Sequence, residues 1–283
     1  MSEMTVRVQK VKKNHVRTRL IIFATLAIIL LLCSFFSEYL TPYDPYLQDL
    51  SNAKAAPSAA HLLGTDRYGR DMLSRVIIGS RTSIYSTLLL VAVVTGIGTV
   101  IGVFCGWRGK WTDTVLMRIS DMFLAFPGLV FALAVAGVLG GGLQNAIIAL
   151  AAISWPKYAR IARSQTLAQK EMQYIRAAVL SGSSTVKILG KHILPNIIGP
   201  ILVTSMLDIG TMMMELAGLS FLGLGAKPPA AEWGSMMSDT RSLLTTVPWV
   251  TLAPGFAIFI SVMIFNLLGD TIRDYVDPKA RGR

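Results

Sequence analysis

Cysteine and histidine are scarce in this sequence of 283 residues, which contains two cysteines and three histidines. Cys33 and Cys105 lie in separate apolar runs, and His15, His61 and His192 fall in three separate regions. Neither set has the short spacings of a disulfide framework or of a thiolate or imidazole metal cage. The composition therefore excludes a disulfide-stabilised scaffold, and we assign no metal ligand.

A nucleotide-binding loop is also missing. Gly109-Lys110 and Gly190-Lys191 lack both the upstream glycine and the following Ser or Thr of the phosphate-binding pattern Gly-x-x-x-x-Gly-Lys-Ser/Thr. We therefore expect that this chain is not an enzyme, that it does not hydrolyse ATP, and that it binds no cofactor of its own.

Charged residues make up only 15% of the chain, whereas hydrophobic residues make up 53%. This composition departs strongly from that of a soluble globular domain and indicates a membrane protein. The net charge of +11 is compatible with nucleic-acid binding, but the cations flank apolar runs instead of clustering with aromatic residues on a polar domain. That pattern is typical of cations that contact lipid headgroups and set the topology of a membrane protein. We therefore expect a lipid membrane as partner and no nucleic acid.

Six apolar runs approach the length of about 20 residues that a bilayer requires. They occupy residues 20–36, 84–105, 122–139, 143–156, 197–222 and 249–268. The fourth run is short, and its helix can continue through Lys157 and Tyr158 if the charged end snorkels to the interface. We predict an all-α polytopic membrane protein with six transmembrane helices.

The distribution of positive charge predicts the orientation of the chain. Most of the 27 Lys and Arg residues lie inside if both termini are cytoplasmic. A cleaved signal peptide is the alternative for the basic start, but Leu32 precedes Cys33 where a lipoprotein signal needs a small residue. We expect a basic cytoplasmic tail, a first span followed by an extracytoplasmic segment with an interfacial helix, a transmembrane core that includes a cytoplasmic loop at 157–196, and a cytoplasmic C-terminal tail. The four parts cover residues 1–19, 20–83, 84–268 and 269–283.

The segment 174–196, YIRAAVLSGSSTVKILGKHILPN, is a charged, helix-forming insert between two apolar runs. Two adjacent alanines permit close approach of a helix, a glycine four residues later is suited to end it, and either of the next two serines can cap a short helix that follows. We predict a helix, a turn and a short helix that form a docking element. An amphipathic helix on the membrane surface is the alternative. The residues concerned are Ala177, Ala178, Gly182, Ser183, Ser184 and Val186.

This segment resembles the cytoplasmic loop by which permease subunits of bacterial ABC importers engage their ATPases. The pattern of that loop is Glu-Ala-Ala, three residues, Gly, nine residues, Ile-x-Leu-Pro. Arg176 replaces the glutamate and His192 the isoleucine, while the spacing is intact. The resemblance implies that the segment docks in a groove on an ATPase. It implies a coupling role for Arg176, Ala177, Ala178, Gly182, Ser183, Val186, His192, Leu194 and Pro195.

Three glycines recur every four residues in the second apolar run, at Gly98, Gly102 and Gly106. Small residues on one face of a transmembrane helix let another helix approach closely. We predict that these glycines form a packing face, either within the chain or with a partner.

The fifth apolar run contains two acids, Asp208 and Glu215, with Met212 between them. Their i, i+4, i+7 spacing places the three side chains on one helical face. Charges inside a membrane are costly unless they are paired or hydrated, so this face should point into the protein. Carboxylates and a thioether suit transient contact with a divalent ion or a cationic substrate, which predicts a translocation pathway. Alternatively, both acids pair with polar groups on neighbouring helices or on a partner subunit.

Three further blocks resemble permeases of the oligopeptide, dipeptide and nickel class of ABC importers. They are HLLGTDRYGRDMLSRVIIGSRTS at 61–83, LAGLSFLGLGAKPPAAEWGSMM at 216–237 and NLLGDTIRDYVDP at 266–278. The resemblance implies the type I importer permease fold and the bacterial inner membrane as location. It implies as partners a homologous second permease, two ATP-binding cassette subunits that use ATP and Mg, and an extracytoplasmic solute-binding protein.

Within this class the sequence is most similar to nickel-importer permeases, specifically to the second permease of such a system. We therefore predict a permease subunit of a binding-protein-dependent importer for nickel, free or chelated. A dipeptide, oligopeptide or metallophore importer is the alternative, because these systems share much of the signature. A channel or a secondary transporter driven through Asp208 and Glu215 leaves the segment 174–196 unexplained, and a membrane scaffold leaves the acids unexplained.

Overall fold

The computed structural model describes residues 2–276, with side chains from residue 16 onward. The regular structure in this range is helical, apart from one isolated β-bridge between Thr65 and Asp71. The predicted tail 269–283 lies partly outside the described residues. The α-helices are α1 Ser2–Phe35, α2 Ser37–Leu40, α3 Met72–Arg108, α4 Lys110–Ala125, α5 Gly128–Val138, α6 Leu143–Lys170, α7 Gln173–Leu180, α8 Thr185–Ile188, α9 Leu194–Phe221, α10 Trp233–Thr240 and α11 Pro248–Val276.

Four helical stretches of the described part are long and apolar enough to cross a membrane: Val16–Phe35, Met72–Arg108, Thr185–Phe221 and Pro248–Val276. The pair α4 and α5, bent by 95°, makes a fifth if it counts as one span. The helix α6, with 28 residues, is not among these stretches. Four of the six predicted spans are therefore present, or five if α4 and α5 form one span, and the rest stay predictions.

The long helices continue beyond the apolar runs from which they were predicted. α1 begins inside the predicted tail 1–19, α6 continues 13 residues beyond Lys157 to Lys170, and α11 continues past residue 268 to Val276. Nothing in these stretches breaks a helix, and charged side chains are tolerated wherever one face is exposed. Hydropathy thus marks the apolar part of each helix and not its ends.

The segment between α2 and α3 is folded onto the first turns of α3. Gly64 and Gly69 have φ angles of +68° and +73° and form turns. Asp71 caps α3 by accepting a hydrogen bond of 2.7 Å from the backbone N–H of Ser74, and Nδ1 of His61 lies 2.9 Å from Oδ1 of Asp71. Residues 72–83, where we predicted an interfacial helix, form the first turns of the continuous helix α3, and their position at the membrane interface stays a prediction.

The core is built where α3 packs against α6 and where α9 packs against α3, α6 and α11. Its largest fully buried side chains are Tyr158, Met72, Ile84, Leu90, Leu150, Ile175, Ile188, Ile193, Ile197, Ile201, Met213 and Leu216. Three of these, Ile175, Ile188 and Ile193, lie in the segment 174–196, so that segment is anchored to the body of the protein.

A close contact between two helices of the core lies along the glycine stripe of α3. A Cβ atom placed on Gly98 would lie 2.5 Å from the Cβ of Tyr158, and one on Gly106 would lie 2.8 Å from the Cβ of Thr166. A Cβ on Gly102 would overlap the carbonyl oxygen of Ala159. The three glycines thus lie against α6 of the same chain, where there is no room for a side chain.

Candidate coupling site and pathway residues

The segment between α6 and α9 consists of a helix, a turn and a short helix, as the sequence predicts. α7 ends at Leu180, and Gly182 adopts a φ of +74° directly after it. The backbone N–H of Ser183 donates to the carbonyl oxygen of Ala178 at 3.1 Å, which is the closing bond of a glycine-terminated helix. Ser184 lies at the N-cap of α8, although its side chain makes no capping bond.

The short helix is continuous with the long helix that follows it. α8 passes through a π-helical stretch, Leu189–Ile193, directly into α9. Pro195 lies in the first turn of α9, where a missing N–H is tolerated. The side-chain amide of Asn196 donates to the carbonyl oxygen of His192 at 2.6 Å across the junction. A displacement of α8 is therefore passed to α9 without an intervening flexible loop.

Most of the predicted coupling residues are exposed to solvent. Val186 is 81% exposed and Leu180, which sequence reasoning missed, is 88% exposed. The other exposed residues of the set are Arg176, Ala177, Gly182, Leu194 and Pro195, and the half-buried ones are Ala178, Ser183 and His192. Exposed apolar side chains next to a firmly anchored segment are typical of a surface that another protein covers.

An open groove adjoins this surface at the ends of α3, α6 and α7. Lys170 closes one side of it by donating to the carbonyl oxygen of Trp107 at 2.7 Å. Arg176, which occupies the position of the motif's glutamate, forms an ion pair with Glu171 at the rim. The groove is lined by Trp107, Lys170, Glu171, Ile175, Arg176, Val179 and Leu180.

Asp208 is buried in the middle of α9 and is fully paired. The ammonium of Lys157 on α6 donates to its two carboxylate oxygens at 2.6 and 2.8 Å. The hydroxyl of Tyr158 donates to Oδ2 at 2.9 Å. Asp208 therefore pairs with polar groups on a neighbouring helix, which is the alternative given above. The sequence did not identify Lys157 and Tyr158 as its partners, because both follow the end of an apolar run.

The other two residues of the predicted pathway face differ from Asp208 and from each other. Met212 is buried in the hydrophobic core. Glu215 is half-buried, and in the described part of the chain its carboxylate makes no hydrogen bond or ion pair. Lys157 neutralises one of the two acids, so the face carries a single uncompensated carboxylate, that of Glu215.

α6 is also bound to α4 through charged side chains. Nη2 of Arg163 donates to Oδ2 of Asp113 at 2.6 Å. Arg160 forms an ion pair with Asp121, so Asp121 does not take the neighbouring Arg118 as its partner. The C-terminal half of α6 is thereby held on the side facing α4.

Comparison with known families supports the identity that this geometry indicates. The family described as "Binding-protein-dependent transport system inner membrane component" matches residues 98–282. The matched range contains the glycine stripe, the segment 174–196 and the acids of α9, that is, every part of the candidate site.

Several characterised permeases resemble the chain over almost its whole length. The nickel transport system permease protein NikC of Escherichia coli is 43% identical over 263 residues, which cover 93% of this chain and 94% of that protein. The glutathione transport system permease protein GsiD of Pectobacterium atrosepticum is 40% identical, covering 95% and 90%. The dipeptide transport system permease protein DppC of Alkalihalophilus pseudofirmus is 39% identical, covering 96% and 89%.

Among solved structures, an inward-facing form of the MetNI methionine ABC transporter matches with a TM-score of 0.52 at 20% identity, covering 73% of this chain and 98% of that one. At this identity the match shows the fold alone. Together with the family match and the full-length relatives, it establishes that the chain belongs to the inner membrane components of binding-protein-dependent transport systems, as an ABC importer permease subunit.

Proposed function

We propose that this chain forms half of the translocation pathway of a bacterial ABC importer, the other half being a homologous second permease. Two ATPase subunits and an extracytoplasmic solute-binding protein complete the proposed assembly. The observation that carries this proposal is the segment 174–196, which is anchored by buried isoleucines, exposes Leu180 and Val186, and is continuous with α9. The proposal includes six spans with both termini in the cytoplasm, an arrangement in which that segment would face the ATPases.

In the proposed mechanism the partners supply the chemistry and this chain supplies the coupling. ATP and Mg bind to the ATPase subunits, whose closure displaces the docked segment. Because α8 is continuous with α9, that displacement turns α9 relative to the second permease and changes access to the pathway from one side to the other. Hydrolysis and product release reset the assembly.

The charge pattern of α9 bears on the form in which the cargo crosses. The carboxylate of Asp208 is paired with Lys157, so the face presents one free carboxylate beside one ammonium. Because Asp208 already neutralises that ammonium, the one free carboxylate offers a bare divalent cation too few ligands to replace its bound water, whereas a chelated metal brings its own ligands and a peptide can pair its amino group with Glu215. We propose that the cargo is nickel in chelated form or a short peptide, with Glu215 facing the pathway. The role predicted for Met212 stays a prediction.

Of chelated nickel and a dipeptide, we take the cargo that is imported faster, and we expect free nickel to be imported about tenfold more slowly than that cargo. A difference of about 1.4 kcal/mol in the interaction of the two cargoes with the pathway is enough for a tenfold preference. The measurement uses vesicles with the whole complex and its binding protein, and compares radioactive nickel, nickel held by an amino-carboxylate chelator, and a labelled dipeptide. The Glu215→Gln variant should lower uptake of the preferred cargo.

Glu38→Gln is the matched control for that variant. It removes another carboxylate, one that pairs with Arg81 outside the apolar part of the helices, and it should leave uptake unchanged. Faster import of free nickel than of both other cargoes would contradict the proposed cargo form. Equal uptake by the Glu215→Gln variant and the unmodified complex would remove Glu215 from the pathway.

A further inference from the structure

The ion pair of Lys157 with Asp208 joins the two helices that enter and leave the coupling segment. Lys157 lies 13 residues before the end of α6 at Lys170, and Asp208 lies 14 residues after the start of α9 at Leu194. At 1.5 Å per residue, both are about 20 Å from the cytoplasmic ends of their helices. The pair thus lies at one level along the two helices.

This contact is the point at which side-chain polar groups of α6 and α9 meet. In the described structure, every hydrogen bond between side chains of these two helices involves Asp208: two come from Lys157 and one from Tyr158. The side chain of Asp208 is only 8% exposed, whereas that of Lys157 is 50% exposed. The acid is therefore held inside the protein, and the lysine reaches it from an open edge.

The other faces of α6 are braced independently of this pair. The glycine stripe of α3 packs against one face without space for side chains, and Asp113 and Asp121 of α4 hold the C-terminal half through Arg163 and Arg160. α6 is therefore fixed to α3 and α4, while its polar attachment to α9 rests on Asp208. α9 in turn is moved directly by α8, through the π-helical stretch 189–193.

We infer that Lys157, Asp208 and Tyr158 form a joint between α6 and α9. This joint makes the two helices move as one rigid unit when the ATPases displace the segment between them. The inference rests on the proposed function and assigns to these three residues a positioning role in coupling. Without the joint, α9 moves against α6 and the displacement is absorbed inside the chain. ATP is then hydrolysed by the partners without import of cargo.

The decisive variant replaces both charged partners by apolar residues of similar length, Lys157→Met with Asp208→Leu. Replacing both members of a buried ion pair is often close to neutral for folding, whereas removing one leaves a buried charge uncompensated. The measurement is the number of ATP molecules hydrolysed per cargo molecule imported, by the whole purified complex in vesicles. We expect this ratio to rise about tenfold, within the range by which coupling residues act, with normal assembly.

Two further variants separate a role in coupling from a role in folding. The charge exchange Lys157→Asp with Asp208→Lys should return the ratio to within about threefold of that of the unmodified complex, since the ion pair is restored in reverse. Tyr158→Phe removes one hydrogen bond without changing any charge, and it should raise the ratio less than the double variant. If the double variant does not assemble, the ratio measured for Tyr158→Phe tests the joint instead.

Arg81→Gln with Glu38→Gln is the matched control, since it removes an exposed ion pair between α3 and α2 that touches neither α6 nor α9, and it should leave the ratio unchanged. An unchanged ratio in the Lys157→Met, Asp208→Leu variant, or in Tyr158→Phe if only that variant assembles, would overturn the joint. An equal rise in the control would overturn it too. Failure of the unmodified complex to import any cargo with ATP would instead overturn the proposed function.

Discussion

The Gly102→Val variant is expected to yield almost no folded protein. A Cβ atom at this position overlaps the carbonyl oxygen of Ala159 and lies 2.7 Å from the Cβ of Ala162, so α3 and α6 must separate to admit it. Overpacking of this kind costs about 1–3 kcal/mol where the structure can adjust. Here the clashing atom belongs to the backbone, which cannot change rotamer as a side chain can. We therefore expect the loss in the free energy of unfolding to reach or exceed that range.

The amount of monodisperse protein recovered in detergent measures this effect, together with its thermal unfolding. Gly96→Val is the matched control, because Gly96 is on the same helix and a Cβ there meets nothing within 4 Å. The control should be recovered like the unmodified protein. Recovery of Gly102→Val at the same level and the same thermal stability would mean that α3 and α6 do not pack as described.

The Val186→Glu variant is expected to fold normally and to lose import. Its side chain is 81% exposed, so the charge costs the isolated chain little. In an apolar groove on the ATPase the same carboxylate would be desolvated without a partner. The loss of a central apolar contact at an interface is worth about 2 kcal/mol or more, which corresponds to about thirtyfold in affinity. We expect a similar loss from Leu180→Glu, whose side chain lies at the end of the preceding helix.

The measurement is the amount of ATPase that co-purifies with the chain, followed by import in vesicles. Val138→Glu is the matched control: Val138 is 89% exposed, and it lies at the end of α5 just before α6 begins, far from the segment 174–196. It should retain the ATPase. If Val186→Glu and Leu180→Glu both keep their ATPase and import at the normal rate, the coupling assignment of this surface is wrong.

The parts of the site that are local in sequence could be predicted. The turn at Gly182 follows from the conformational freedom of glycine at a helix end, and the structure gives it a φ of +74°. The glycine stripe follows from a spacing of four residues on a helix, although the identity of its partner, α6, does not. The membrane class follows from composition alone.

The parts that depend on two distant elements could not be predicted. Lys157 follows an apolar run, so hydropathy assigns it to a loop, and nothing local indicates that it meets a carboxylate 51 positions later. Asp121 has a neighbouring arginine at helical spacing, Arg118, yet it pairs with Arg160 because the packing of α4 on α6 brings that guanidinium closer. The sequence also leaves the ends of helices open, since α3 begins before its apolar run and α6 continues after its own.

The exposure of Leu180 could not be anticipated either. In the sequence it is one apolar residue of an amphipathic helix, in which such residues normally pack inward. The structure buries Ile175 of the same helix and leaves Leu180 uncovered at its end. This distinction, which decides which side chains are free to meet an ATPase, depends on how α7 packs against α6 and α8.

The most direct test of the account compares two driving forces for uptake. The whole complex is reconstituted in vesicles with its binding protein, and uptake of chelated nickel and of a dipeptide is followed with ATP on the side of the ATPases, or with an imposed ion gradient and no ATP. The account predicts uptake with ATP, loss of that uptake in the Val186→Glu variant, and none with the gradient alone. Uptake driven by the gradient without ATP would contradict it and make the chain an ion-coupled transporter.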